Sequence, residues 1–349
     1  MTRAPERARL NIRTVAKQAG VSSATVSRVI NGSAAVKEET AQHVRKIIAD
    51  LDFVPNPIAT TLKYGRSKTY GVILPDLTNP FYPEFLVEFE RILVESDREM
   101  LLTTIQSHEA AMINSVRRML TRQVDGVLLM ASEYETKAIE PLFDRKIPIV
   151  TVDRRKVEKG TCDVSIVFED GYREAVMHLR NLGHRRIGFI GGNNEIGTSR
   201  VRLKAFESAL SFAGLTYDPS LTRMGDYRFA GGEAAVNSLL LEKKCPTAIL
   251  AANDLTAFGA MRALHARGIN VPAQISLIGF DGLQLGNALH PRLTTAGISQ
   301  KTFAEACVRA LDYLKADVSK RGLLLRIPSA LIVRESTAPP PKGALRLSP

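Results

Sequence analysis

Short apolar runs alternate with helical stretches along most of the chain, from about residue 69 onward. These runs have the length and composition of strands, and they form two sets: 70–74, 99–104, 126–129 and 149–152, then 187–190, 248–251 and 276–280. Continuous apolar strands separated by helices are typical of parallel sheets that are covered on both faces. Two such sets predict two α/β lobes.

The N-terminal residues have a helical pattern instead. Asn11 is placed to cap a first short helix, and Ser22 is placed to cap a second. In the second helix Val26 and Val29 lie on one apolar face, and a third helix is predicted from about 38 to 51. Two short helices joined by a tight turn and buried by a third predict a helix-turn-helix unit, although any small helical bundle has the same spacing.

Basic residues are concentrated at the start of the chain. The 349 residues have a net charge of +11, and residues 1–68 contain 12 Lys and Arg against 5 Asp and Glu, which leaves 12 − 5 = +7 there and +4 in the rest. This imbalance is compatible with an anionic partner such as nucleic acid, although a solvated basic face would give the same count.

Several classes of protein are excluded by what the chain lacks. The N-terminus has no apolar run that could serve as a secretory signal, and no run of about 18 apolar residues could span a membrane. Cys162, Cys245 and Cys307 are far apart, which predicts buried thiols rather than disulfides or a zinc site. No GxSxG, HExxH, CxxC or dinucleotide-binding motif occurs, so we expect neither an enzyme nor a bound cofactor or metal.

The run NIRTVAKQAGVSSATVSRVING, residues 11–32, carries the pattern VAxxAGVSxxTVSRVxN. It closely resembles the DNA-binding headpiece of the LacI/GalR family, and the resemblance continues through residues 53–56 to about Glu335. The resemblance implies a sequence-specific transcriptional regulator of the repressor type, whose binding to operator DNA responds to a small-molecule effector. A carbohydrate-like effector, a homodimer and a location at the nucleoid in the bacterial cytoplasm are further expectations.

By this resemblance, Ser23 and Ala24 lie at two positions that read base edges, and Arg28 lies at a third. Serine can donate or accept a hydrogen bond, alanine offers a methyl group, and arginine can contact guanine O6 and N7 together. Ser22, Thr25, Asn31 and Thr40 are expected to contact phosphates, where they set the register of the protein on DNA. The implied DNA-binding residues are Arg13, Ser22, Ser23, Ala24, Thr25, Arg28, Asn31, Thr40, Ala59, Leu62 and Lys63.

Prolines at positions 55 and 57 end the third helix, and residues 58–63 can form only a short helix, which is marginal in isolation. In the family this segment is a hinge helix that orders on DNA. Leu62 matches the leucine that enters the minor groove, and Ala59 is small enough for two hinges to touch. We therefore expect a pseudo-palindromic operator with a central CG step, although the residues alone favour a plain linker.

Ligands of open α/β sheets bind beyond the carboxyl ends of the strands, and polar residues follow several of the predicted strands. By family match, Arg202, Asn253 and Asp281 form a hydroxyl-binding set. Arginine and carboxylate groups bind hydroxyls, and aromatic rings cover the apolar face of a sugar. Singly, each polar residue would also suit a helix cap or turn. The implied effector-binding residues are Asp76, Phe81, Tyr82, Asp153, Thr198, Arg202, Tyr227, Asn253, Asp254 and Asp281.

One position departs from the family pattern. Ile196 stands where the purine-binding members have an arginine that contacts the ligand, which weakens the case for a purine. Arg154 and Arg155 could admit a sugar acid or sugar phosphate, but a solvated surface pair is the preferred interpretation. The alternatives to a sugar-responsive repressor are a purine-type repressor that needs a corepressor, and a binding protein of the transport type.

The predicted fold is a small all-α helix-turn-helix headpiece with a hinge helix, followed by an α/β core of two lobes with parallel sheets, similar to periplasmic binding proteins. No leucine heptad follows the core, so we expect dimers rather than tetramers. The predicted domains are a headpiece at 1–55, a hinge and linker at 56–68, a first lobe at 69–168 and 298–327, a second lobe at 169–297 and 328–338, and a flexible tail at 339–349.

Overall fold

A computed structural model describes residues 11–30, 35–53, 67–106, 109–131, 136–193, 196–242 and 245–342. The chain divides into two compact units, Met1–Ser67 and Lys68–Pro349. Four of the predicted DNA-binding residues, together with the predicted hinge helix, lie outside the described residues: Asn31, Ala59, Leu62 and Lys63.

The smaller unit contains three helices within its described residues. They are α1 (Ile12–Gln18), α2 (Ser23–Ile30) and α3 (Glu38–Asp50). Both predicted caps are confirmed. The side-chain oxygen of Asn11 accepts hydrogen bonds from the backbone N–H groups of Arg13 (2.9 Å) and Thr14 (3.1 Å). The hydroxyl of Ser22 accepts from the N–H of Thr25 at 3.1 Å, so α2 begins where its sequence indicates.

A small apolar core holds these helices together. Val15 of α1, Val26 and Val29 of α2, and Val44 of α3 are buried against one another, and Phe53 closes the cluster. Because the apolar positions of α2 all face this core, its remaining positions face outward. The predicted helix-turn-helix unit is therefore confirmed.

The larger unit contains two sheets, each of six strands within the described residues. The first sheet has the order β11-β5-β4-β3-β1-β2 and is parallel throughout. Its strands, numbered in chain order, are β1 (Thr69–Leu74), β2 (Glu99–Thr104), β3 (Gly126–Leu129), β4 (Ile149–Val152), β5 (Thr161–Val167) and β11 (Leu324–Pro328). We call this sheet with its covering helices the first lobe.

The second sheet has the order β12-β10-β9-β8-β6-β7 and is parallel except for its edge strand β12, which runs antiparallel to β10. Its strands are β6 (Ile187–Gly191), β7 (Thr222–Met224), β8 (Ala248–Ala251), β9 (Ser276–Asp281), β10 (Thr294–Gly297) and β12 (Ala330–Ile332). This sheet with its helices is the second lobe. All the strands predicted from apolar runs are confirmed.

Helices cover the faces of both sheets. Those of the first lobe are α4 (Phe81–Glu95), α5 (Glu109–Thr121), α6 (Glu140–Asp144) and α11 (Gln300–Ala316). Those of the second lobe are α7 (Phe168–Leu182), α8 (Gly197–Phe212), α9 (Phe229–Leu239) and α10 (Asp254–Ala266). Short 3₁₀ helices occur at Thr136–Ile139, Pro219–Leu221 and Gln284–Asn287.

The chain passes between the lobes three times: after β5, after β10, and between β11 and β12. At the last passage a single residue, Ser329, separates the two strands. Its hydroxyl donates to the carbonyl of Val167 (2.5 Å) and accepts from the N–H of Gly171 (3.0 Å), so two of the crossing segments are bonded to each other. The carboxyl ends of the parallel strands in both sheets consequently border the space between the lobes.

Helices α9 and α10 cross so closely that only glycine fits at the contact. A methyl group on Gly259 would overlap the carbonyl of Phe229, and one on Gly232 would overlap the carbonyl of Thr256. We predict that Gly259→Ala lowers the free energy of unfolding of the two-lobed unit by about 3 kcal/mol, because backbone must move to admit the side chain. Urea unfolding followed by circular dichroism measures this change.

The matched control is Gly197→Ala at the first turn of α8, where an added methyl group would meet no heavy atom within 4 Å. This variant is expected to stay within about 0.5 kcal/mol of the parent. Equal stabilities of the two variants would show that the α9–α10 crossing is not tight.

Candidate functional site

The outward face of α2 carries small and basic side chains. Ala24 and Arg28 are exposed, and Ser23 is half-buried beside them. Among the other predicted DNA-binding residues, Arg13 and Ser22 are exposed and Thr25 and Thr40 are half-buried. A narrow helix with exposed arginine and small neighbours is suited to the major groove of DNA, where arginine contacts guanine edges.

A cleft of about 360 Å³ lies between the two lobes. Its lining comes from the carboxyl ends of β1, β3, β4, β5, β6, β8 and β9 and the segments that follow them, together with the first turns of α8 and the turn before α9. Nine of the ten predicted effector-binding residues line this interlobe cleft: Asp76, Phe81, Tyr82, Asp153, Thr198, Arg202, Tyr227, Asn253 and Asp281.

Arg202 lies deep in the interlobe cleft, with 12% of its side chain exposed. Its guanidinium carbon is 4.3 Å from the centre of the Phe168 ring, 4.9 Å from Phe280 and 5.6 Å from Tyr227. One terminal nitrogen donates to the carbonyl of Ala252. Aromatic faces attract a cation, so these rings and the carbonyl hold the arginine in one orientation toward the cleft.

Two carboxyl groups flank Arg202. An oxygen of Asp281 is 4.0 Å from its guanidinium, and the other oxygen, Oδ2, is buried and has no hydrogen-bond partner among the described residues. Burial raises the pKa of Asp281 well above its usual range, although the nearby Arg202 charge opposes this shift. A buried polar oxygen without a partner is costly, which points to a ligand that supplies one.

Asp153 lies on the side of the first lobe. Its Oδ1 accepts a hydrogen bond from the N–H of Ile166 at 2.8 Å. Burial raises the pKa of Asp153 to about 7, against the lowering effects of that hydrogen bond and of Arg202. Near neutral pH this group therefore exists in both protonation states, and a hydroxyl that donates to it would favour the carboxylate.

Three of the residues in the cleft adopt the left-handed backbone region that side chains other than glycine rarely enter. The φ angles are 56° at Asp153, 64° at Tyr227 and 134° at Asp281. Such conformations cost about 1–3 kcal/mol each and persist where surrounding contacts hold them. Asn253 supplies one such contact, since its side-chain N–H donates to the carbonyl of Tyr227 at 2.9 Å while its oxygen caps α10.

Asp254 is the exception among the predicted effector residues. It is fully buried outside the lining of the cleft, where its carboxylate accepts from the hydroxyl of Thr295 (2.6 Å) and from the N–H of Leu283 (2.8 Å). These bonds connect α10 to β10 and to the turn that follows β9, the strand that ends at Asp281. In contrast to the predicted contact with an effector, the structure places Asp254 outside the lining of the cleft, and both of its oxygens already have partners.

The structure also places functional side chains that sequence reasoning missed. Arg228 lines the cleft and pairs with Asp76 of the opposite lobe at 2.7 Å, a contact between residues 152 positions apart in the chain. Phe168 packs under Arg202, and the buried Tyr172 stacks on Phe280 with ring centres 5.1 Å apart. No sequence signal pairs Arg228 with Asp76, and Phe168 begins α7 directly after β5, a strand that the apolar runs did not predict.

Two further expectations concern neighbouring residues. Ile196 lines the cleft, so the position that is arginine in purine-binding members contributes an apolar side chain here. Arg154 and Arg155 do not line the cleft. Arg155 instead donates to the carbonyl of Ile166 at 2.9 Å and lies over the Phe168 ring.

Among the described residues, no group of three or more histidine, cysteine or acidic side chains is arranged to hold a metal ion. The helices within the described part of the chain are all too short or too polar to cross a membrane.

Comparisons with known proteins agree with this geometry. Residues 11–56 match the model of bacterial regulatory proteins of the lacI family, and residues 176–337 match a periplasmic binding protein-like domain. Catabolite control protein A of Priestia megaterium is 31% identical over 329 residues, which cover 94% of this chain and 99% of that protein. The transcriptional repressor PurR of Histophilus somni is 30% identical, with coverage of 93% and 98%.

Among solved structures, the lac repressor dimer bound to operator and the anti-inducer ONPF superimposes with a TM-score of 0.82 at 27% identity, covering 94% of this chain and 99% of that one. The similarity spans both the DNA-binding unit and the two-lobed unit, and these relatives are regulators rather than enzymes. The chain therefore belongs to the LacI family and is a transcriptional repressor with a DNA-binding domain and an effector-binding domain.

Proposed function

We propose that the protein represses transcription as a homodimer on a pseudo-palindromic operator, and that a neutral, polyhydroxylated small molecule in the interlobe cleft controls its hold on DNA. The observation that carries this proposal is the buried set of Arg202, Asp281 and Asn253 under aromatic walls, in a chain whose N-terminal unit is a helix-turn-helix. The protein is proposed to act at the nucleoid in the bacterial cytoplasm.

The chemistry of the cleft favours hydroxyl groups over a purine. Asp153 and Asp281 can each accept from hydroxyls, and Arg202 is held by aromatic faces and directed at the same space. A purine would need in-plane donors at its edges, and Ile196 supplies none. A relative of similar identity is the PurR repressor, so a purine corepressor is the alternative that a binding screen must include.

On DNA, we infer that Arg28 contacts a guanine and that Ser23 and Ala24 contact the neighbouring bases. Arg13, Ser22, Thr25 and Thr40 are assigned to phosphates, together with the predictions for Asn31 and Lys63. Leu62 is assigned to the minor groove, and Ala59 to the contact between two hinges. With small side chains at 23 and 24, discrimination between operators rests chiefly on Arg28.

The homodimer is supported by an apolar surface on the two-lobed unit. Val87 and Val94, which lie about two helical turns apart on α4, are 65% and 64% exposed. Val87 of the first lobe and Ile332 of the second lobe line one groove. Leu285 and Val333, which directly follow groove-lining residues in the sequence, are also exposed. Exposed apolar patches of this kind are typical of subunit interfaces. Light scattering should give a dimer, and a tetramer would contradict the proposal.

The direct test of the proposed function is capture of DNA. Fragmented genomic DNA from the source organism is passed over the purified protein at two salt concentrations, and the retained fragments are sequenced. A few short palindromes that survive the higher salt are expected, because phosphate contacts alone weaken steeply with salt. If nothing is retained, even after addition of cell extract to supply a corepressor, the proposal is wrong and a transport-type binding protein becomes the better interpretation.

Effector binding should depend on pH through Asp153, whose pKa is about 7. Hydroxyl donors favour the carboxylate, so the affinity for the effector should rise between about pH 6 and pH 8. The rise should be at most about tenfold per pH unit below the pKa, and the affinity should level off above the pKa. Titration calorimetry in buffers of different ionisation enthalpy should detect release of a proton near pH 7. In Asp153→Asn both effects should disappear. An unchanged pH profile in that variant would remove Asp153 from the site.

A further inference from the structure

One ion pair joins the two lobes across the rim of the interlobe cleft. Arg228 stands in the second lobe directly before α9, and Asp76 and Thr78 lie in the first lobe after β1. One terminal nitrogen of Arg228 is 2.7 Å from Asp76 Oδ2, and the other donates to the hydroxyl of Thr78 at 2.7 Å. The guanidinium thus holds two residues of one turn at once, a fixed geometry that a single point charge would not give.

Both ends of this bridge are ordered by local hydrogen bonds. Asp76 Oδ1 accepts from the N–H of Thr78 at 2.7 Å and from its hydroxyl at 2.5 Å. On the other side, the N–H of Arg228 donates to Asp226 at 2.8 Å. Burial acts to raise the pKa of Asp76, but its hydrogen bonds with Thr78 and the Arg228 charge outweigh it and lower the pKa. Because these local hydrogen bonds already order both ends, formation of this ion pair costs less side-chain entropy than formation of an ordinary surface pair.

The bridge lies at the mouth of the cleft. Arg228 has 51% of its side chain exposed, whereas Asp281, which lines the same cleft, has 6% exposed. The hydroxyl-binding residues are therefore on the floor, and the bridge is on the rim above them. The enclosed space of about 360 Å³ is near the lower end of the range for ligand pockets, roughly 300–1,000 Å³.

We propose that Asp76, Thr78 and Arg228 form a clasp that limits the effector to a single sugar-sized ring enclosed behind it. A ligand of two linked rings would extend past the floor residues to the rim, and the clasp would have to open to admit it. The observed affinity for a small ligand then depends on the fraction of protein molecules whose lobes are closed, and the clasp raises that fraction. This inference rests on the proposed binding of an effector in the cleft.

The test compares Arg228→Met with the parent in the full-length protein. Methionine keeps an apolar stem and removes the guanidinium. The matched control is Arg262→Met, which breaks an exposed pair with Glu233 inside the second lobe. The probes are neutral monosaccharides and disaccharides that contain the same rings, titrated by calorimetry after a thermal-shift screen. In the parent and the control, the best monosaccharide should bind at least about tenfold more tightly than its disaccharides.

In Arg228→Met the monosaccharide should bind about fivefold more weakly, and the preference over disaccharides should fall by at least about tenfold. A preference that stays within about twofold of the parent, or a parent that prefers disaccharides, would overturn the proposal.

A second measurement tests the clasp without any ligand. Hydrogen–deuterium exchange at 76–82 and 225–231 should be about fivefold faster in Arg228→Met and unchanged in Arg262→Met. Unchanged exchange would show that the clasp does not hold the lobes. If no sugar binds to the parent or to either variant, the proposed effector class fails and the single-ring limit fails with it, while the exchange result still decides whether the clasp exists.

Discussion

Replacing Arg202 with methionine is expected to abolish the response to effector while operator binding persists. The guanidinium is the one cation held between Asp281 and Asp153 in the described part of the cleft floor, and three aromatic rings fix its direction. Loss of a charged hydrogen-bond donor to the ligand should weaken effector binding by about 100-fold. Calorimetry with the best-binding sugar of the screen measures the affinity, and an operator gel shift measures the response.

The protein should tolerate this change, since both flanking carboxyl groups can take up a proton. Arg202 lowers the pKa of Asp153 and of Asp281 against the effect of burial, and its removal raises both further, which leaves neutral acids rather than unpaired charges. Arg202→Lys keeps the charge without the planar fork and should restore only part of the affinity. Parental effector affinity in Arg202→Met would show that the ligand binds elsewhere.

The second large effect is expected on DNA. Arg28→Met should weaken binding to the operator by about 10- to 100-fold for each half-site, because a bidentate contact to guanine contributes about 1–3 kcal/mol of discrimination. Binding to random DNA should change far less, so the ratio of specific to non-specific affinity should fall. Fluorescence anisotropy with both DNA types, at matched salt concentrations, measures this ratio.

Arg45→Met provides the control for charge. Arg45 is an exposed arginine of α3 that pairs with Glu38 at 3.0 Å, and its replacement removes the same formal charge from the same unit. This substitution should weaken binding to operator and to random DNA to a similar small extent, since a distant positive charge attracts only the phosphates, which are the same in both DNAs. If Arg28→Met behaves in the same way, Arg28 does not read a base.

Much of the fold follows from local pattern. The strands β1 to β4, β6, β8 and β9 coincide with apolar runs that are bounded by polar residues, because strands buried on both faces need a continuous apolar sequence. Asn11 and Ser22 begin their helices because their side-chain oxygens bond to backbone N–H groups that would otherwise have no partner. The edge strand β12 is only three residues long and depends on pairing with β10.

The cleft could be predicted only in part. Residues at the carboxyl ends of strands, such as Asp153 and Asp281, were identifiable because the carboxyl ends of parallel strands meet at one edge. Asp254 follows a strand too, but Gly279 has no side chain, and this lets the Asp254 carboxylate enter the space beside β9 instead of the cleft. The Arg228 clasp depends on how the two lobes meet, which no local pattern encodes.

The most direct test of the account is the linkage between cleft and operator. The affinity of the best-binding sugar should be measured by calorimetry in the free protein and in the protein saturated with a captured operator. Reciprocity requires that operator change the affinity for sugar, typically by about 5- to 150-fold, and that sugar change the affinity for operator by the same factor. A sugar affinity that is identical with and without operator would contradict control of DNA binding through the cleft.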